Sequence, residues 1–251
     1  MIHFIKKIYY SLFLKTSLLL GKKEFHTSIN GVHLLLDIRD PLEREIFFKK
    51  EYEKVQIKYL LDYIGKNNTE YFIDVGSNIG YYSLVIAKKF PNIKIFSYEP
   101  VKKTFYKFKK NISLNKIENI FSFNFGLSDK NKLMKMRSMV KKKIIQSGGF
   151  TVHDPLRKLK SNEILQDCNF KIGDDVILLE NKNICMKIDV EEHEKQALNG
   201  LKKTLLKNKI FLQIEFFPKH KDENFKLLSD HKYNLIREIP GERKSDYHFL
   251  N

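Results

Sequence analysis

The sequence predicts an α/β fold: a seven-stranded, Rossmann-like sheet, mostly parallel, closed by a C-terminal antiparallel hairpin and covered by helices on both faces. Three observations predict it. From Tyr71 onward, short apolar runs alternate with stretches of helical periodicity, as in a parallel sheet with crossover helices. The first of those runs breaks at a glycine turn, Asp74–Gly80. The last two runs are separated by Pro240-Gly241, a turn and not a crossover helix, so they pair as a hairpin.

Taken in order, residues 1–45 read as a helical lead-in and residues 46–251 as the domain proper. The first twenty residues are apolar but interrupted by Lys6, Lys7 and Lys15. They contain no unbroken run of about 18 residues for a membrane span, and no clear signal-peptide centre or cleavage site. Such a segment suits a helix packed on the domain, or a basic amphipathic helix making peripheral contact with a membrane. Pro41 to Ile64 is helical in pattern, with Tyr52, Val55, Tyr59, Leu60 and Tyr63 at helical spacing. Tyr71–Gly76 is the first buried strand. A helix bearing Tyr82, Val85, Ile86 and Lys89 on one face follows, then the strand Ile93–Tyr98. Val101, Phe105, Phe108 and Ile112 mark the next helix, and Ile120–Phe125 the third strand.

Residues 128–183 are polar and read as an irregular insertion that covers the acceptor site, with Ser147-Gly-Gly-Phe150 as a mobile loop. Order returns at Ile184–Val190, the fourth strand. Ala197, Leu198, Leu201 and Leu205 then mark a helix, and Lys209–Phe216 the fifth strand. A helix near Phe225–Leu228 leads to the hairpin Asn234–Ile239 and Asp246–Leu250.

Composition bounds the partners. The 251 residues are 42% apolar and 30% charged, enough to form a core, and the net charge is +16. That charge suits phosphate-bearing acceptors, polyanions or anionic membranes, or is a solvated lysine-rich surface; Lys141–Lys143 is its one local run. Abundant Phe, Ile, Lys and Asn with no Trp suggest an AT-rich, bacterial coding sequence. Two cysteines, Cys168 and Cys185, imply no disulfide framework and a cytoplasmic chain. No Ser–His–Asp order and no paired Cys/His spacing points to a hydrolase or a zinc site.

The turn Asp74-Val-Gly76-Ser77-Asn78-Ile-Gly80 sits where open parallel sheets bind ligands, beyond the carboxyl end of a strand. Gly76 permits a sharp turn and close approach, and Gly80 close packing at the helix start. A dinucleotide site wants G-x-G-x-x-G, so that pyrophosphate sits on the helix N-terminus. Here Asp74 replaces the first glycine, a poor neighbour for pyrophosphate and a good one for an ammonium. Glu99 ends the second strand about 20 residues after Gly80, where an acid accepts hydrogen bonds from ribose hydroxyls. The expected cofactor is therefore S-adenosyl-L-methionine, held by Asp74, Gly76, Ser77, Asn78, Gly80, Glu99, Pro100, Gly126, Leu127 and Asp189.

Phe72-Ile-Asp-Val-Gly-Ser-Asn-Ile-Gly80, then Tyr98-Glu-Pro100, then Met186-Lys-Ile-Asp-Val-Glu191 with Glu194, resemble the FkbM family of S-adenosylmethionine-dependent methyltransferases. That family's pattern is roughly DVGANxG, a strand ending FEP, and KIDVEGxE. The resemblance runs from about Glu53 to the C-terminus. Gly173-Asp174-Asp175 is similar to the family's LDD element, and Glu192 stands where the family usually has glycine. The resemblance implies a class I methyltransferase fold. It also implies methyl transfer to a hydroxyl of a sugar, either a nucleotide sugar or a surface glycan. The alternatives are an RNA, DNA or other small-molecule methyltransferase, or a catalytically silent cofactor-binding member. Strand four ends Ile-Asp-Val-Glu, without the Pro-Pro-aromatic turn or Pro-Cys of base methyltransferases, so nucleic acid is not the favoured acceptor.

The chemistry belongs where strands four and five end. Asp189, Glu191, His193 and Glu215 are the candidate catalytic residues. Asp189 and Glu215 project from adjacent strand ends, and two neighbouring carboxylates need a divalent cation, Lys187 or a shared proton to offset them. One reading is a metal site of Asp189, Glu215 and His193, which would lower the acceptor hydroxyl's pKa. The other is a metal-free site with His193 or Glu191 as general base. Glu192, His193 and Glu194 also begin a helix, where acids favour the dipole by about 0.3–1 kcal/mol.

Overall fold

The computed structural model describes residues 2–141 and 144–251, so Lys142 and Lys143 of the lysine run lie outside the described residues. The lead-in starts with helix α1 (Ile2–Leu19) but continues as a hairpin, β1 (Glu24–Ile29) and β2 (Val32–Asp37). A purely helical lead-in is therefore corrected. The cause is Asn30-Gly31, whose φ angles of 49° and 79° give the twist a two-residue hairpin turn requires. Val32, Leu34 and Leu36 then alternate into the core and are fully buried.

The helical pattern of Pro41–Ile64 forms two helices, α2 (Pro41–Lys49) and α3 (Lys54–Lys66). Asp40 caps α2 by accepting from the N–H groups of Leu42 and Glu43. Lys50 ends α2 in the left-handed region, at φ 54°, and Glu53 opens α3 at φ 41°.

The alternating part follows: β3 (Tyr71–Val75), α4 (Tyr81–Lys89), β4 (Lys94–Tyr98), α5 (Lys102–Asn115) and β5 (Ile120–Phe123). The insertion is not irregular. It holds β6 (Gly126–Ser128), β7 (Lys132–Lys141), β8 (Ile144–Ile145), β9 (Thr151–Val152) and β10 (Glu163–Ile172), with β7 and β10 antiparallel and β6 parallel to β10. In β7, Met134, Met136 and Ser138 turn inward while Leu133, Lys135 and Met139 are exposed. The alternation is present, but lysines and methionines hide it.

The chain closes with α6 (Gly173–Val176), β11 (Asn183–Ile188), α7 (Glu194–Gly200), α8 (Lys202–Lys207), β12 (Lys209–Phe216), α9 (Lys221–Asp230), β13 (Asn234–Ile239) and β14 (Ser245–Leu250). The main sheet has the order β13-β14-β12-β11-β3-β4-β5. Its pairs are parallel except that β14 runs against both neighbours. Phe72, Ile73 and Val75 are fully buried, as a strand covered on both faces must be. One apolar layer lies under α3, α4, α5 and the hairpin, and includes Leu34, Leu60, Leu84 and Phe108. The other lies under α7, α8 and α9, with Met186, Leu198, Leu205 and Leu228. Each such side chain contributes about 1.5–3 kcal/mol of burial free energy. The chain reverses direction of travel across the sheet between β3 and β11, and the carboxyl ends of those strands meet the turn after β3.

Candidate active site

Gly76 lets β3 and β11 meet at that point. Its φ is 85°, and a Cβ there would lie 1.9 Å from the Asp189 carbonyl oxygen. The Asp189 N–H donates to the Val75 carbonyl at 3.0 Å, which fixes the approach. Gly80, at φ 86°, has the Phe108 ring 1.9 Å from where a Cβ would be, so α4 packs directly on α5. Between them the N–H groups of Gly76 and Ser77 both donate to the Tyr98 carbonyl, tying the turn to β4.

Glu99 follows β4 and is buried. Its Oε2 accepts from the Asn78 N–H at 2.9 Å and its Oε1 from the Val101 N–H at 2.8 Å. Burial outweighs those two donors, and the nearby charges of Asp74 and Asp189 add to it, so the carboxyl is pushed up to about 7. Asp74 is also buried and raised by desolvation, partly offset by Lys187, and it accepts from the Ser83 hydroxyl. Ser83 in turn lies 2.8 Å from the Ser97 hydroxyl, so strands β3 and β4 and helix α4 share one polar contact.

Two buried atoms of the turn, Ser77 Oγ and Asn78 Oδ1, have no hydrogen-bond partner among the described residues. Buried polar atoms rarely stay unpaired, so the turn is built to receive a polar ligand. Gly76, Asn78, Glu99, Pro100, Gly126, Leu127 and Asp189 line one cleft. Asp74 and Ser77 line a small adjoining pocket, which shares Gly76, Asn78 and Asp189 with the cleft. Gly80 shapes the turn through its packing on Phe108. These residues fit a nucleoside carrying an amino acid: acid for ribose on one side of the turn, acid for ammonium on the other.

The insertion sheet forms the opposite wall of the cleft through Met136, Phe150 and Phe170, with Ser147 and Gly149 at its edge. A Cβ on Gly126 would meet the Phe170 ring at 2.4 Å, so this glycine sets how closely β10 approaches. Ser147 is anchored, its N–H donating to Asp40 Oδ2 at 2.6 Å.

Asp189 and Glu191 reach the cleft from the end of β11. Lysines balance them. Lys187 Nζ lies 2.9 Å from Asp189 Oδ2, and Lys244 Nζ bridges Glu191 and Glu215 at 2.6 and 2.7 Å. Burial opposes the Asp189 charge, but Lys187 and Lys244 outweigh it and hold the carboxyl down at about 2. Burial and the Asp189 charge push Glu215 up to about 9. The two carboxyls are thus driven in opposite directions by the same cluster of charges. Burial and Asp189 also raise Glu191, against the pull of Lys244. Of the ways to offset neighbouring carboxylates, lysine is the one this structure displays.

The proposed metal ligands do not converge. Among the described residues no group of three His, Cys, Asp or Glu side chains is placed to hold an ion. His193 lies instead against the insertion sheet, its Nε2 2.9 Å from Ser128 Oγ and its ring edge-on to Phe170. Burial lowers its pKa to about 4, which makes it a weak base. The structure thus places His193 apart from a metal grouping with Asp189 and Glu215. Glu191 and Glu192 take φ of 53° and 71°, consecutive left-handed residues. Glycine suits that backbone, and Glu192 adopts it with its carboxylate paired to Lys219 and His220.

Sequence reasoning missed Lys244. It lies in the hairpin turn, where only the insertion of β14 between β12 and β13 brings it to the end of β12. Tyr52 and Tyr82 were likewise read as ordinary helix positions. The Tyr82 hydroxyl donates to Glu53 at 2.6 Å beside Lys187, whose ammonium lies 4.8 Å from the Tyr82 ring centre.

The strand order, the antiparallel β14 and the acid after the second strand define a class I S-adenosylmethionine-dependent methyltransferase fold. Residues 74–238 match the methyltransferase FkbM domain, and the chain belongs to that family. A relative, Methyltransferase 1 of Beauveria bassiana (strain ARSEF 2860), is 24% identical over 175 residues, covering 64% of this chain. The match spans 66% of that relative's own length, just under two thirds. Among solved structures, TYW2 of Pyrococcus horikoshii in complex with MeSAdo superposes with a TM-score of 0.51 at 14% identity, over 99% of this chain and 82% of that one. The precorrin-6y C5,15-methyltransferase of Geobacter metallireducens GS-15 gives 0.50 at 9% identity, over 80% and 89%. At such identities these structures speak for the fold alone.

Proposed function

We propose that the protein transfers a methyl group from S-adenosylmethionine to an oxygen of a small, sugar-like acceptor. One observation carries this reading: Glu191 and Asp189 line the same cleft as the Gly76–Asn78 turn and Glu99. A proton acceptor and a nucleoside site thus open onto one space. When bound, the cofactor supplies an activated methyl group on a sulfonium.

The chain's own residues do the rest. Glu99 accepts from ribose hydroxyls, Ser77 Oγ and Asn78 Oδ1 gain the partners they lack, and Asp74 balances an ammonium. Pro100, Val101 and Leu127 exclude water from the nucleoside. Glu191 takes the acceptor hydroxyl's proton as the oxygen attacks, and Lys244 holds its carboxylate in place before the transfer. Asp189 stays ionised beside the acceptor and orients it. The sugar acceptor is supported by the family resemblance, and a phosphate-bearing form of it by the net charge of +16. The carboxylates that open onto the cleft disfavour nucleic acid. Two buried free cysteines agree with a reducing, cytoplasmic setting.

The test is methyl transfer from labelled S-adenosylmethionine to a panel of nucleotide sugars. Glu191→Gln is expected to lower kcat by about 10²–10⁴ with cofactor affinity unchanged. Full activity in that variant would remove Glu191 as the base.

A further inference from the structure

The outer face of α1 is apolar and exposed. Its inner side is fixed: Tyr10 stacks on Phe48 with ring centres 4.1 Å apart, and Phe13 packs among Phe25, Phe47 and Phe48. On the outside, Ile8, Leu12, Lys15 and Leu19 recur at helical spacing and share one stripe. Ile8 and Leu12 are 53% and 60% exposed, and Leu19 and Leu20 at the helix end are 87% and 84% exposed. Gly21-Lys22-Lys23 follows at once, and Lys15, Lys22 and Lys23 are all exposed. Tyr9, also exposed, stands beside the stripe. No helix among the described residues is long and apolar enough to cross a membrane.

We propose that this face docks the protein on an anionic lipid surface, with α1 lying in the plane of the interface. Leucines at the helix end enter the boundary between headgroups and acyl chains, and the three lysines meet lipid phosphates. Tyrosine suits that boundary, having an apolar ring and a wet hydroxyl. A second copy of the chain is the poorer occupant. A two-fold pairing through this stripe would bring the lysines of two chains, each already at +16, to one interface. An anionic surface turns the same lysines into attraction. The inference is independent of the methyl-transfer reading, since it uses none of the cleft residues.

The test is vesicle flotation of the full chain, with phosphatidylcholine vesicles and with vesicles containing about a third phosphatidylserine. Binding to the anionic vesicles is expected to exceed that to the neutral ones by about tenfold or more, and to weaken in high salt. The double variant Leu19→Ser, Leu20→Ser is expected to bind the anionic vesicles at least about tenfold more weakly. Its melting temperature is expected to match the wild type, because both side chains are exposed. Leu12→Ser, further along the stripe, is expected to weaken binding in the same direction. Wild-type protein that stays in the aqueous phase, or binds neutral vesicles equally, overturns the proposal. So does undiminished binding by the double variant. A concentration-dependent dimer that the double variant dissolves, without vesicle binding, would assign the face to a second copy instead.

Discussion

Cofactor affinity is expected to fall about tenfold from about pH 8 to about pH 6, and Glu99 sets the slope. Burial holds its carboxyl at about 7 in the free protein. Ribose hydroxyls donate hydrogen bonds, so they favour the ionised form, and a protonated Glu99 must lose its proton before it can accept them. Affinity is therefore full above that pKa and lost as pH falls through it. About ten in eleven molecules are ionised one unit above the pKa and about one in eleven one unit below, a ratio of about ten or ~1.4 kcal/mol. Titration calorimetry with S-adenosylhomocysteine measures it, and buffers of different ionisation enthalpy count the proton released. Glu99→Gln is expected to bind about tenfold more weakly at high pH and to show a flat pH dependence. A variant that keeps the wild-type affinity and slope would refute the role given to Glu99.

Gly76→Ala is expected to destabilise the fold by about 2–4 kcal/mol and to abolish cofactor binding, since its Cβ would collide with the Asp189 carbonyl. Denaturant unfolding and calorimetry together check it. Glu192→Gly is expected to stabilise the protein by ~1 kcal/mol, because it relieves a left-handed backbone and loses only exposed ion pairs, and a rise in melting temperature reads it out. His193→Gln is expected to leave turnover and its pH profile within a few-fold of wild type. A large loss of kcat without loss of stability would restore His193 to the chemistry.

Much of this architecture was legible because its signals are local. The strand ending Asp74-Val-Gly76, the acid at Glu99 and the repeat of apolar runs each depend on a few adjacent residues, and all lie where their patterns put them. The misses have particular causes. Asn30-Gly31 is a hairpin signal of the plainest kind, but it sits in a segment whose first twenty residues look helical. The insertion sheet alternates correctly, yet its outward positions include Lys135 and its inward ones are methionine and serine, so the contrast is weak. Lys244 could not be read at all: its partners Glu191 and Glu215 are distant in sequence, and sheet order alone brings them together. The surroundings of His193 were hidden for the same reason, because the pairing of β6 with β10 decides that Ser128 and Phe170 lie against it.

Asp40 gives the lead-in a role beyond leading in. One oxygen of its carboxylate starts α2 and the other holds the N–H of Ser147 at the rim of the cleft. A chain trimmed to residue 46 would lose both, together with the leucines that β2 sends into the core. The smallest unit able to fold with an intact cleft must therefore start ahead of the hairpin. The hairpin also reaches the cofactor turn from the other side, because Asn111 accepts from the Leu35 N–H and donates to the Ile79 carbonyl.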